Sequence, residues 1–316
     1  MGALSIGLLE GDRFSPPALG ALAALGSVAI WNGTQDLDVF LRDKDVLFVR
    51  LAHQIDKAFL SRCNNLKYLC SPTTGLNHID LEALRERQVR LLSLRGEKDF
   101  LKTIRATPEH ILGLTIALLR NYATAFIKER RDWDRDRFVG EEIYQNTVGL
   151  IGYGRIGKIL RASFEALGAT VYACDIDPAA RDGSVRFLPG AAQLIDTCRI
   201  VILVASFIPQ QGAIIDCRLI DRLQGKYFIN AARGELVDEA HMLKRLRQGW
   251  FKGVAVDVVR AEAEPPNIIA ELLDVVRSGK QNLIVTPHIG GATFTSMRRT
   301  EEFLCEKLAL SIKKGA

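Results

Sequence analysis

The apolar run Thr147-Val148-Gly149-Leu150-Ile151 leads directly into Gly152-Tyr153-Gly154-Arg155-Ile156-Gly157, and Asp175 follows 18 residues after the last of these glycines. A strand, a glycine-rich turn, a helix, a second strand and an acid in that order form a dinucleotide-binding unit. A pyrophosphate must lie against backbone amides at a helix N-terminus, where a Cβ would block its approach. Gly152 permits the tight turn, Gly154 lets the main chain approach the phosphates, and Gly157 lets the helix pack closely. The helix is expected to face the sheet through Ile156, Ile159, Leu160, Phe164 and Leu167, and to stop at Gly168. The next strand, Ala169 to Cys174, delivers Asp175. There a carboxylate can accept from both ribose hydroxyls of an adenosine and repel a 2′-phosphate, which favours NAD over NADP.

The chain has 316 residues, more than the ~250 to 300 at which a single core usually stops growing, so two domains are expected. Its 42 basic and 37 acidic residues leave a net charge of +5 without a solid basic block, which argues against a nucleic-acid binder and suits a small anionic substrate. The mixed stretch Lys128 to Arg131 with Arg135 to Arg137 reads as a solvated or subunit-facing surface. Six cysteines, at 63, 70, 174, 198, 217 and 305, form no CxxC pair and no Cys/His cluster, so reduced and mostly buried thiols and no metal site are expected. The apolar stretch Ala3 to Leu9 is too short for a signal-peptide core, and no run reaches membrane-spanning length. A cytoplasmic protein is expected.

Ahead of the glycine motif, strand-like and helix-like segments alternate. Leu4–Leu9, Ser27–Trp31, Asp45–Val49, Lys67–Cys70 and Val89–Ser93 read as strands, with helices from Pro16 to Leu25, around Lys57 to Cys63, and from Leu81 to Arg87. Thr107-Pro108-Glu109 reads as a helix start, with Thr107 as N-cap and Pro108 at the first helical position. Beyond Asp175, strands are expected at Ile200–Val204, Tyr227–Asn230, Gly253–Val258 and Leu283–Thr286. A final helix, Thr295 to Lys313, carries Leu304, Leu308 and Ile312 on one face. This is parallel α/β wiring, with two units expected to share a cleft and exchange their terminal helices.

Open parallel sheets bind ligands at the carboxyl ends of their strands. Three clusters fall there: Asn230 to Gly234, Asp257 to Glu262, and Thr286 to Gly291. They offer a guanidinium, a carboxylate and an imidazole, which are the groups needed for hydride transfer between a nicotinamide and a 2-oxo or 2-hydroxy acid. A guanidinium binds the substrate carboxylate and polarises its carbonyl, a histidine exchanges a proton with the oxygen, and a carboxylate orients that histidine.

With these residues in place the chain resembles the D-isomer-specific 2-hydroxyacid dehydrogenases, from Ser71-Pro72-Thr73-Thr74-Gly75-Leu76-Asn77-His78-Ile79-Asp80 through Trp133-Asp134 and the glycine loop to Thr286-Pro287-His288. The resemblance implies a Rossmann NAD-binding domain, residues 105–290, and a smaller flavodoxin-like α/β substrate domain, residues 1–104 and 291–316. It also implies that Arg233 binds substrate, His288 is the acid/base and Glu262 its partner, and that Asp257 holds the nicotinamide carboxamide. Arg155 and Ile156 would lie at the pyrophosphate and Ala231 beside the cofactor, while the backbone of Thr74, Gly75 and Leu76 would cradle the substrate carboxylate. Arg50, at the end of a strand, is a further substrate contact by position, with His53, Arg95 and Lys98 as weaker ones.

Some segments depart from the family pattern. No proline follows Glu262, which makes Glu264 a rival partner for the histidine. Val204-Ala205-Ser206-Phe207 stands where the family has His-x-Pro-Leu, and Leu94 to Phe100 replaces a shorter loop, leaving the role of residues 94–104 open. His78, His110 and His241 read as scaffold. Within the family the chain looks most like D-3-phosphoglycerate dehydrogenases without their C-terminal regulatory domain. Glyoxylate or hydroxypyruvate reduction is the nearest alternative, and an NAD-sensing corepressor is the alternative of another class. The resemblance further implies a homodimer through the Thr107 to Glu142 region.

Overall fold

The computed structural model describes residues 3–126, 133, 135–208, 211–262 and 268–315. Glu264, Lys128 to Arg131 and Asp134 lie outside the described residues. The chain forms two compact units, Met1–Ile104 with Ala292–Ala316, and Arg105–Gly291.

The first unit holds five strands, β1 Leu4–Leu8, β2 Gly26–Ile30, β3 Val46–Phe48, β4 Tyr68–Ser71 and β5 Arg90–Ser93. They pair in parallel in the order β2-β1-β3-β4-β5, a flavodoxin-like order with its switch point between β1 and β3. Alternate side chains feed two cores. Leu47, Leu69 and Leu91 pack with Phe59, Leu60 and Leu84 on one face, and Ile6, Leu8, Val46, Phe48, Cys70 and Leu92 on the other. The helix Phe294–Gly315 returns to this second face through Leu304, Cys305 and Leu308. Residues 94–104, read from sequence as a loop, include a short helix, Lys98–Lys102. Phe100 stacks on Phe303 with ring centroids 4.0 Å apart, and Arg299 donates to the Thr103 carbonyl at 3.0 Å and its hydroxyl at 2.7 Å.

The second unit holds β6 Thr147–Ile151, β7 Thr170–Cys174, β8 Arg186–Phe187, β9 Ile200–Leu203, β10 Tyr227–Asn230, β11 Gly253–Val256 and β12 Leu283–Val285. Their order, β12-β11-β10-β9-β6-β7-β8, is parallel throughout, and the chain reverses direction across the sheet between β6 and β9. β9, β10 and β11 are buried along their whole length, as strands covered on both faces must be. Period-two alternation divides them: Ile200, Ile202, Tyr227 and Ile229 enter one core, and Val201, Leu203, Phe228 and Val254 the other.

Two local expectations need correction. The helix expected to begin after Thr107 runs Ala106–Leu119, with Arg105 at its N-cap and no side-chain cap, so Thr107 lies inside the first turn. Pro108 tolerates this because the first turn's amides have no carbonyl partners in any case. Leu167, expected on the sheet-facing stripe, is 44% exposed. The helix ends at Ala166, and its buried face is Gly157, Leu160 and Phe164, so Leu167 sits past the last turn that the sheet covers.

Candidate active site

The turn after β6 has the backbone its glycines require. Gly152 has φ +98°, and a Cβ there would come within 2.5 Å of the Ala205 backbone, so glycine serves both the conformation and the close approach to the loop after β9. A Cβ on Gly157 would stand 2.7 Å from the Gly152 carbonyl oxygen, which makes it a contact with the turn rather than with the strand. Arg155 and Ile156 open the helix Arg155–Ala166, whose N-terminus has no side-chain cap. Burial pushes the Arg155 guanidinium below its ordinary value, and nearby Arg105 adds to that effect. Asp175 directly follows β7, and its carboxylate accepts from the Tyr153 amide of the glycine turn at 2.6 Å and from the Asp177 amide at 2.9 Å.

The loops after β10, β11 and β12 meet at the same end of this sheet. Asn230, 2% exposed, braces the first of them, accepting from the Ala232 amide at 3.1 Å and donating to the Arg233 carbonyl at 3.1 Å. Arg233 is partly buried, and one guanidinium nitrogen donates to the Ala232 carbonyl at 2.6 Å. Burial pushes this guanidinium below its ordinary value, while Glu262 and Glu235 oppose the shift. Gly234 lets the loop reach its neighbour, since a Cβ there would lie 2.0 Å from the Arg260 amide nitrogen. Glu262 accepts from the Val259 amide at 3.3 Å with one oxygen and pairs with His288 Nδ1 at 2.7 Å with the other. The carboxylate is thus held by its own loop and aimed at the ring, and His288 Nε2 has no hydrogen-bond partner among the described residues. Asp257, 3% exposed, accepts from the Thr286 hydroxyl at 2.6 Å and from the Ile289 and Gly290 amides at 2.9 and 3.0 Å. Burial pushes its carboxyl up, but the hydrogen bonds from His110 and Thr286 outweigh burial and hold it below the usual carboxylate range.

Residues 112–290 match the NAD binding domain of the D-isomer specific 2-hydroxyacid dehydrogenases, and residues 14–97 match the catalytic domain of the same family. The chain belongs to this family. Among the relatives of this chain, the D-3-phosphoglycerate dehydrogenase of Mycobacterium bovis is 29% identical over 313 residues, covering 96% of this chain and 56% of that protein. The glyoxylate reductase of Thermofilum pendens is 28% identical over 286 residues, covering 87% of this chain and 80% of the relative. A solved structure, the TT0316 protein from Thermus thermophilus, superposes with a TM-score of 0.82 at 25% identity, over 99% of this chain and 97% of the other. The chain spans about half the length of the curated phosphoglycerate dehydrogenases it matches.

The residues of the glycine unit fit the NAD of this family. The uncapped helix N-terminus offers amides to phosphate oxygens. A Cβ on Gly154 would meet nothing within 4 Å, so the space beside that turn is open. Each Asp175 oxygen accepts one amide and keeps capacity for a hydroxyl donor. Asp257 Oδ2 takes one amide, from Gly290, and keeps capacity for a further donor such as a carboxamide.

In the first unit the amides of Thr74, Gly75 and Leu76 make no hydrogen bond among the described residues, while the Thr73 hydroxyl donates to the Gly75 carbonyl at 2.9 Å and shapes the turn. Arg50 is engaged in another way. Its guanidinium pairs with Glu301, whose side chain is 1% exposed and also accepts from the Ser15 amide at 2.8 Å. The Arg50 amide donates to Glu10 at 2.8 Å. Glu301 was missed from the sequence although it lies on the apolar face of the last helix, three residues before Leu304. His110, read as scaffold, stands 3.2 Å from Asp257. His241 pairs with Asp221 at 2.8 Å, in a cluster with Arg245 away from the strand ends.

Proposed function

We propose that the chain is an NAD-dependent D-2-hydroxyacid dehydrogenase, moving a hydride between NAD(H) and a small anionic 2-hydroxy or 2-oxo acid. The observation that carries this reading is the 2.7 Å pair of His288 Nδ1 and Glu262, which leaves the far ring nitrogen for a proton transfer, beside the partly buried Arg233. NAD supplies or accepts the hydride. Arg233 binds the substrate carboxylate and polarises the adjacent carbonyl, and it does so strongly because its charge is poorly solvated. His288 donates a proton through Nε2 as charge builds on the oxygen, and Glu262 stabilises the imidazolium form and fixes which nitrogen faces the substrate. The cofactor rests on Gly152, Gly154, Arg155, Ile156 and Gly157, with Asp175 at the ribose and Ala231 and Asp257 at the nicotinamide end. On this reading residues 105–290 form the NAD domain, and residues 1–104 with 291–316 the substrate domain. There the free amides of Thr74, Gly75 and Leu76 suit an anionic oxygen.

Two substrate classes stand open, D-3-phosphoglycerate and an unphosphorylated acid of the glyoxylate or hydroxypyruvate kind. One observation favours the second: Glu301 already compensates the charge of Arg50, and Glu10 lies against the same backbone, so Arg50 is not a spare cation for a phosphate. A homodimer through residues 107–142 is supported by Phe126, Trp133 and Val139, which are 72%, 93% and 74% exposed. No helix among the described residues is long and apolar enough to cross a membrane. The buried free thiols of Cys63, Cys70, Cys174, Cys198 and Cys305 suit a reducing cytoplasm.

The test is NADH absorbance with purified protein against a panel of 2-oxo acids, and in reverse D- and L-2-hydroxy acids including D-3-phosphoglycerate. Turnover of a D-acid that is lost in His288→Asn supports the enzyme. Tight NADH binding without turnover of any member of the panel supports the NAD-sensing corepressor instead.

A further inference from the structure

We propose that His110 is a positioning residue, whose Nε2–H, donated to Asp257 and Thr286, holds the loop that carries His288 in its working conformation. This rests on the reading of His288 as the acid/base. The loop Thr286–Gly290 is anchored to β11 by the Thr286 amide, which donates to the Val256 carbonyl at 2.9 Å, and to Glu262 by the His288 ring, while its remaining polar contacts come from one neighbouring cluster. His288 itself adopts φ +51°, a left-handed conformation that costs a non-glycine residue energy and persists only where surrounding contacts impose it. Four of the contacts that hold the loop converge on Asp257. Its backbone carbonyl accepts from the His288 amide at 2.8 Å. Its side chain accepts from the residues on either side of the histidine, through the Thr286 hydroxyl and the Ile289 and Gly290 amides.

His110 completes this set from a different element, the first turns of the helix Ala106–Leu119. Its Nε2 lies 3.2 Å from Asp257 Oδ1 and 3.3 Å from Thr286 Oγ1. The Thr286 hydroxyl has one proton and gives it to Asp257, so toward the histidine it can only accept. Asp257 likewise accepts. The shared ring nitrogen must therefore carry hydrogen, which fixes the tautomer of His110 without reference to its charge. Packing agrees with the hydrogen bonds: a Cβ on Gly290 would come within 2.9 Å of Asp257 Oδ2 and 3.6 Å of His110 Cδ2, so the loop closes directly onto this pair. Without the ring, Oδ1 loses a charge-stabilising donor inside a site 3% exposed, Thr286 loses its acceptor role, and the loop is freer to relax its strained histidine.

The positions along the chain add a consequence. The chain enters this unit at Arg105, five residues before His110, and leaves it at Gly291, directly after Gly290. One hydrogen-bonded cluster therefore ties both crossing segments to the loop of the acid/base histidine.

The experiment is residue-resolved hydrogen exchange at the Ile289 and Gly290 amides of the cofactor-free protein, for wild type, His110→Leu and His110→Gln. Glutamine reaches as far as the ring and keeps an N–H donor. Loss of the donor should speed exchange at both amides about fivefold or more, glutamine should restore most of the protection, and the amides of β9 should not change. In steady-state assays His110→Leu should lower kcat about tenfold with KM for the oxo acid changed less than twofold, and His110→Gln should recover it. Unchanged exchange in His110→Leu, or equal loss in both variants, overturns the proposal. Should His110→Leu fail to fold, His110→Asn, too short to reach Asp257, serves the same comparison. Absence of turnover in the wild type would defeat the dehydrogenase reading, yet the exchange data would still decide the role of His110.

Discussion

The seven-stranded sheet carries a charge cluster at each end, and the two are built on opposite plans. At the amino ends of β9, β10 and β11, Glu141 sits between Arg199, 2.7 Å away, and Lys252. Both cations lie 5.9 Å from the centroid of the buried Tyr227 ring. Both of these cations face Glu141, whose carboxyl is held down to about 2, mainly by the Arg199 hydrogen bond against the effect of burial. At the carboxyl ends of β10, β11 and β12, burial pushes the Arg233 guanidinium below its ordinary value, against the opposing effect of Glu262 and Glu235. An ion cluster that is internally satisfied stabilises a fold. On the proposed reading the other cluster, with a half-buried guanidinium and an imidazole nitrogen turned away from its carboxylate partner, receives an anion from outside.

The sharpest way to break this contrast is to delete a cation at each end. Arg233→Ala should lower kcat/KM about 1000-fold, on the order of 4 kcal/mol of transition-state stabilisation. It should leave the melting temperature within a few degrees, because the removed charge was costly to bury. Arg199→Ala should do the reverse, losing stability while the folded fraction keeps its kcat/KM. Paired kinetic and thermal measurements on both variants check this, and a destabilised, fully active Arg233→Ala would end the distinction.

Glu262→Gln tests the functional end more gently. It keeps the shape and a possible hydrogen bond to His288 but removes the charge that stabilises the imidazolium. We expect kcat to fall about 10- to 100-fold, less than for loss of the histidine itself, with NADH affinity by fluorescence titration unchanged. An unaltered kcat would transfer the partner role to another acid.

Local chemistry made much of this arrangement legible in the sequence. The strand Tyr227–Asn230 is found where its apolar residues put it, and the glycine unit declares itself because each glycine answers a local backbone demand. Arg233, Glu262 and His288 could be picked out because each stands shortly after a strand of a parallel sheet, where ligands bind. The partners of these residues were less visible. His110 and Asp257 are 147 positions apart, and no periodicity links a polar residue in a first helical turn with a loop after a distant strand. Glu301 left a signal that went unused: a carboxylate in register with Leu304 and Leu308 must be buried with them, and a buried carboxylate requires a cation. Thr107 misled because threonine before proline is a favoured helix start, whereas the packing of Ala106 and Pro108 carried the helix two residues further back.

The smallest effect belongs to Glu141, and pH gives it a definite sign. Its folded value of about 2 lies below the ordinary 4.5, so the carboxylate contributes stability that is fully present above 4.5 and is lost as pH falls toward 2. With its side chain 23% exposed, screening reduces the contribution at neutral pH to roughly 1 to 2 kcal/mol. Glu141→Gln should therefore lower the urea midpoint at pH 7, and the gap to wild type should shrink by roughly half or more at pH 3, where the unfolded carboxylate is already protonated. Activity at pH 7 should stay within about twofold of wild type, since the substitution lies a full strand length from the strand ends that carry Arg233 and His288. A gap that stays constant with pH would mean that Glu141 acts through packing rather than charge, and the two ends of the sheet would then differ in chemistry less than their geometry implies.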